Sequence, residues 1–202
     1  MGRLAIGLLP LVLLGSVLAQ TPRDISVKGR DSFEADFASG GALAIHLPSS
    51  EAQIKAGEED KIHVRLENVS DRQLSEMEIR FQHDGSNGKL SVEGPAISAN
   101  NKLRIVVEVP KVIDLRFRMP FGDITIERLI GNKDIEVHAG DITVNVGAAG
   151  DYVHAEASVN SGDLDASPFG VSKSGLFRSF DKDGGGKYRL HVHLGAGDLK
   201  LE

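Results

Sequence analysis

The chain has no cysteine and no tryptophan, only two tyrosines, and no basic block among its 202 residues. Without cysteine there is no disulfide, no thiolate nucleophile, no Cys-based metal site and no lipidated N-terminal cysteine. With Tyr152 and Tyr188 as the only tyrosines, platforms for stacking sugar rings are scarce. Lys and Arg number 23 against 29 Asp and Glu, a formal charge of −6, so nothing is built to neutralise a run of phosphates and nucleic acid is not an expected partner. The sequence also lacks Gly-x-Ser-x-Gly, His-Glu-x-x-His and a phosphate-cradling Gly-x-x-x-x-Gly-Lys. No catalytic residue and no cofactor is therefore expected, and the chain reads as a non-enzyme.

Long apolar runs are equally rare. One stands at the start: Met1-Gly2-Arg3 supplies a positive charge, Leu4 to Leu14 an apolar stretch broken by Pro10, and Val17-Leu18-Ala19 a small-residue site before Gln20. This is the grammar of a secretory signal peptide over 1–19, cleaved after Ala19, and the run is short of the roughly 20 residues a membrane span needs. The expected address is outside the cytoplasm: periplasm, outer cell surface or secreted, with no transmembrane span in the mature chain.

Residues 20–32 are polar and read as a flexible lead-in. From 33 to 202 the text is a single β-rich domain. Period-two alternation marks strands at Ala42 to Leu47, Lys61 to Glu67, Glu76 to Gln82, Lys89 to Val92, Lys102 to Val109 and Val112 to Met119. Turn signals stand at Asp84-Gly85-Ser86-Asn87-Gly88 and Ala99-Asn100-Asn101. Helix is confined to two short possibilities, Asp71 to Met77 and Pro168 to Phe180.

Residues 33–110 are irregular strands, and after Pro110 a phrase repeats: glycine, an acid or amide, then alternating apolar residues. It occurs at Gly122-Asp123, Gly131-Asn132, Gly140-Asp141, Gly150-Asp151, Gly162-Asp163 and Gly197-Asp198, at intervals of 9, 9, 10, 12 and 35 residues. A five- or six-residue strand plus a turn takes about nine residues. One face of each segment is dry, for example Ile124 and Ile126, Ile135 and Val137, Ile142 and Val144, Leu190, Val192 and Leu194. The other carries Asp134, Glu136, His138, His154, Glu156, His191 and His193.

Stacking is how such segments bury their dry sides, so the expected fold is an all-β, β-solenoid-like pile of short strands, with an antiparallel β-sandwich as the alternative. The glycines then serve tight turns, and the adjacent acids bond turn backbone. The wide last interval, Ser167 to Gly186, reads as an inserted loop and the default place for binding.

Metal is not expected. The residues nearest to a metal site are His191 and His193, two apart on one strand face where His138 or His154 could join them, and Asp181 and Asp183, which start but do not complete a calcium loop.

The order of Val109-Pro110, Leu115, Gly122 to Ile126, Leu129 to Gly131, Val137 to Val144 and Gly162 to Leu164 resembles the bacterial putative adhesin family, whose domain is rich in Gly-Asp strand repeats. The resemblance implies an exported, solenoid-like protein of the cell envelope acting as an adhesin, scaffold or interaction module, with an envelope protein or a surface glycan as partner. It carries over no catalytic residue. The alternative reading is a carbohydrate-binding or carbohydrate-cleaving β-helix protein.

Overall fold

The computed structural model describes residues 23–94 and 103–202. The expected signal peptide and the turn at Ala99 to Asn101 lie outside the described residues. The elements are β1 (Arg23–Lys28), β2 (Ser32–Asp36), β3 (Ala42–His46), β4 (Glu51–Gly57), β5 (Lys61–Glu67), α1 (Asp71–Glu76), β6 (Glu78–Asp84), β7 (Asn87–Glu93) and β8 (Arg104–Pro110). They continue with β9 (Asp114–Phe121), β10 (Ile124–Ile126), β11 (Lys133–Ala139), β12 (Ile142–Val144), β13 (Tyr152–Ala166), β14 (Val171–Asp183), β15 (Tyr188–Ala196) and β16 (Leu199–Leu201).

The protein is all-β with little helix, and the described strands form one 16-stranded sheet that folds back on itself. One layer runs β1-β6-β7-β3-β9-β11-β15-β13, and β13 bends into the other, which runs β16-β12-β10-β4-β8-β5-β2. At the far end Phe81 of β6 meets Phe33 of β2 and Phe37, with ring centroids 6.1 and 6.0 Å apart. Those contacts bring the two ends of the strand path together, so the sheet is nearly closed and barrel-like.

Inside the stack, pairing is parallel. β3, β9, β11, β15 and β13 follow one another in register, as do β4, β10, β12, β16 and the end of β13. Dry residues stack directly: Ile45, Phe117, Ile135, Val192 and Ala157 form one column, and Ile54, Ile126, Val144, Leu201 and Ala166 another in the opposite layer. All are buried, and each large aliphatic member contributes about 1.5–3 kcal/mol. Toward the ends the pairing turns antiparallel: β6 on β7, β1 on β6, β5 on β8, β2 on β5 and β14 on β13. The parallel middle is what a solenoid needs and the antiparallel ends are what a sandwich needs, so neither expected pattern runs through the whole sheet.

Three expectations are corrected. Arg23–Lys28, read as flexible lead-in, is β1, paired along its length with β6. Pro168 to Phe180 holds only a single 3-10 turn, Ser167–Phe169, closed by Gly170 in the left-handed region. The segment read as an inserted loop is mostly β14, antiparallel to β13 over twelve residue pairs from His154↔Asp183 to Ala166↔Val171. It gave no alternation in the sequence because it is an edge strand whose only buried residue is Phe180.

The short helix is where the sequence placed it. Ser70 caps α1: its Oγ accepts from the Gln73 N–H, and the Ser70 N–H donates to Gln73 Oε1 at 3.1 Å, a reciprocal capping box.

Candidate functional site

The repeated phrase builds one corner of the stack. Gly122, Gly140, Gly197 and Gly162 lie over one another with φ between +126° and +138°. A Cβ on Gly140 would sit 2.1 Å from the Gly122 carbonyl oxygen, and one on Gly197 would sit 1.9 Å from that of Gly140. Only glycine allows the backbones this approach.

Beside the glycines runs a ladder of carboxylates. Asp123 Oδ1 accepts from the N–H of Asp141 at 2.9 Å, Asp141 from that of Asp198 at 3.0 Å, and Asp198 from that of Asp163 at 3.0 Å. Each acid fastens its rung to the next, so these acids are committed to shape. Ser50 fills the same corner one rung earlier, under Gly122, with no Gly-Asp phrase in the sequence to announce it.

Two members of the phrase are elsewhere. Gly131-Asn132 stands at a different corner, where Asp114 Oδ1 accepts from the Asn132 N–H and Asn132 Oδ1 from the Arg189 N–H, both at 2.8 Å. Gly150 belongs to a 3-10 turn, Ala149–Asp151, has no positive φ, and has nothing within 4 Å of a would-be Cβ. Its turn is real, but it is not part of either ladder.

The wet face of the β3-β9-β11-β15-β13-β14 layer changes character along its length. In the middle, acids meet guanidinium groups: Arg118 holds Asp134 at 2.8 Å and Glu136 at 3.1 Å, and Arg116 holds Asp134 at 3.0 Å. A groove of about 940 Å3 runs over this region, lined by Arg116, Arg118, Arg189, Asp134, Asn87 and Asn132 among others. His46, on β3 beside it, is held below its ordinary value by burial and by the charges of Lys89, Arg118 and Arg116.

At the β14 end, acids meet imidazoles. Register sets His191, Glu156 and Asp181 side by side on β15, β13 and β14, and Arg189, His154 and Asp183 in the adjoining row. His191 Nδ1 lies 2.5 Å from Glu156 Oε1, and His154 Nδ1 lies 2.8 Å from Asp183 Oδ1 and 3.8 Å from Asp181. His154 Nε2 is 3.9 Å from Glu156 Oε2. The hydrogen bond with Asp183 holds His154 above its ordinary value, helped by the charges of Asp181, Asp183 and Glu156 and opposed by partial burial.

A β-bulge between Tyr152 and His154 turns Tyr152 into the core and leaves His154 aimed at this cluster. A cleft of about 560 Å3, lined by Glu156, Ser158, Lys173, Ser179, Asp181 and His191, adjoins it. Of the residues that the sequence singled out for metal, His191, Asp181 and Asp183 come together here. His193 does not: its Nδ1 hydrogen-bonds Ser158 at 2.8 Å, one row away. Glu156 and His154 complete the cluster. Their period-two spacing on one strand was visible, but their match to β14 was not.

Sequence reasoning missed one further polar group. Lys133 sits inside the core, between Leu115 and Leu190, and its Nζ donates to the Gly131 carbonyl at 3.1 Å and to the Tyr152 hydroxyl at 3.0 Å. The Tyr152 hydroxyl donates in turn to the Val146 carbonyl at 3.1 Å. Burial lowers Lys133 to about 8 and pushes Tyr152 up.

No family model and no curated protein matches the chain. Its fold is similar to that of a putative cell adhesion protein from Clostridium sporogenes, with a TM-score of 0.50 and 14% identity, over 90% of this chain and 100% of that one. The likeness concerns the fold alone. Among the described residues, no helix is long and apolar enough to cross a membrane.

Proposed function

We propose that the protein is an exported, non-enzymatic module of the cell envelope whose role is adhesion or scaffolding. The observation that carries this reading is the fold likeness to the clostridial putative cell adhesion protein, which spans nearly the whole of both chains. The build agrees with it: a continuous buried core runs through the stack, and the acids of the repeated phrase serve its corner. In this reading the parallel middle is a short β-solenoid sealed at both ends by antiparallel strands, which keeps the stack from growing by further strand addition. The leader at 1–19 is removed on export.

Two measurements test the proposal. Fractionation of bacteria producing the full chain with a C-terminal tag is expected to recover a processed form outside the cytoplasm; retention in the cytosol at full length overturns the address. Beads coated with the purified mature chain are expected to retain cells or envelope fragments above beads coated with an unrelated β-protein, and equal retention overturns adhesion.

A second reading, carbohydrate binding, is favoured by the groove over β3, β9, β11 and β15, whose lining mixes guanidinium, carboxylate and amide groups able to pair with sugar hydroxyls. A glycan array with the mature chain decides it. Binding lost in Arg116→Ala supports the groove, and an empty array removes it.

A further inference from the structure

Lys133 and Tyr152 are buried and pair with each other and with backbone carbonyls, and Leu176 and Phe177 stand exposed at the bend of β14; neither pair points to a ligand, but the histidine–carboxylate cluster does. The cluster carries an inference that is independent of the adhesion reading.

We infer that His154, Glu156 and Asp181 form a binding site for a divalent transition-metal ion of the zinc class, with His191 and Asp183 as its supporting shell. One ligand atom from each of His154, Glu156 and Asp181 lies within 4.8 Å of the others. Around a tetrahedral zinc ion with bonds of about 2.1 Å, ligand atoms stand about 3.4 Å apart, so modest side-chain rotation closes the set. All three project from one face of two adjacent, register-locked strands, a more rigid support than a loop.

The surroundings match what a ligating histidine requires. Asp183 accepts the Nδ1–H of His154, which fixes the tautomer and leaves Nε2, 3.9 Å from Glu156 Oε2, free to bind metal, while Asp181, now 3.8 Å from Nδ1, reaches the same ion by rotating its side chain. His191 holds the other oxygen of Glu156 and so orients that carboxylate. The middle of the same sheet face supplies the contrast. Asp134 and Glu136 there are neutralised by Arg118, whereas no Lys or Arg nitrogen lies within 4.0 Å of the carboxylates of Glu156, Asp181 or Asp183 among the described residues. Three carboxylates around two imidazoles are a donor set that a cation completes. Imidazole together with carboxylate selects zinc-class ions over calcium, which takes oxygen ligands. The adjoining cleft gives an ion access from solvent.

Titrating the full chain with zinc chloride by calorimetry, in a non-chelating buffer, is the test, with calcium chloride as the comparison. Expected is one zinc per chain, no calcium uptake, and a thermal midpoint that rises with zinc. His154→Ala and Glu156→Gln are each expected to weaken zinc binding at least tenfold, while His138→Ala, an exposed histidine outside the cluster, leaves it unchanged. Should His154→Ala fail to fold, cobalt(II) added to Glu156→Gln and to the unaltered chain gives a second readout. The intense visible absorption of tetrahedral cobalt is expected in the unaltered chain and lost in the variant. No stoichiometric zinc uptake, or uptake unaffected by Glu156→Gln, overturns the site.

Discussion

In the middle of the stack an acid is held by a guanidinium or a backbone N–H; at the β13–β14 end it is held by an imidazole. Asp123, Asp141 and Asp198 each accept from the next rung, and Asp134 is clasped by Arg116 and Arg118. Glu156, Asp181 and Asp183 have His154 and His191. Both regions share the same pleat, a Gly-Asp phrase and the same alternation of dry and wet faces. What separates them is the residue that the register sets opposite each acid: Arg116 and Arg118 of β9 face Asp134 and Glu136, whereas His191 faces Glu156 and His154 faces Asp183.

Substitutions sharpen that comparison. The largest effect is expected at the corner, where Gly140→Ala drives a Cβ against the Gly122 carbonyl at a φ of +133°. A loss of about 3 kcal/mol or more, read by chemical denaturation, is expected, and a change below about 1 kcal/mol would break the account of the ladder. At the hairpin end, Phe180→Ala removes the ring packed 5.3 Å from Phe169 and is expected to cost about 3 kcal/mol. Phe177, 79% exposed, is its control: Phe177→Ala should stay within about 0.5 kcal/mol.

Lys133 tests the middle from inside. Burial lowers its pKa to about 8, so between there and the unfolded value near 10.4 the unfolded chain holds more protons. Stability from this group therefore rises with pH through that window. At pH 7 Lys133→Met is expected to exceed the unaltered chain by about 1–3 kcal/mol, and the gap should narrow by pH 10. A gap that widens with pH would falsify the assignment. Tyr152, pushed up, keeps its proton and its bond to Val146 across most of the same window.

Smaller effects separate the ladder acids from ordinary turn residues. Asp141→Ala leaves the Asp198 N–H without its acceptor and should cost about 1–2 kcal/mol, whereas Asp141→Asn keeps an oxygen there, as Asn132 does at its own corner, and should cost less than half of that. Gly150→Ala, in open space with no positive φ, should be within about 0.5 kcal/mol.

Much of this was legible in the text. Alternation placed Ile135, Val137, Ile142, Val144, Leu190, Val192 and Leu194 on the dry face, and all are buried. Val153, which the period of two running through Ala155 and Ala157 would also place on the dry face, is only half-buried, because the bulge before His154 hands the core position to Tyr152. Lys133 occupies a dry position by the same period of two, but its charge disguised it, since a sequence does not show the hydroxyl and carbonyl that receive the amine. β1 and β14 were missed because an edge strand has too few buried residues to print an alternation. The histidine–carboxylate cluster joins His191 to Glu156, 35 residues away, and only the register of β15 on β13 brings them together. Spacing alone also made Gly150 and Gly131 resemble Gly140, because a turn motif does not say at which corner it stands.

The chain makes β13 before β15, yet β15 lies between β11 and β13. β11 is thus without its β15 neighbour while β12, β13 and β14 are made. β13 must stay off that side of β11, or leave it, before β15 can enter. The β13–β14 hairpin gives it an alternative partner, twelve residue pairs long and closed by a short local connection. The hairpin thus gives β13 a partner of its own while the seat between β11 and β13 stays open for β15.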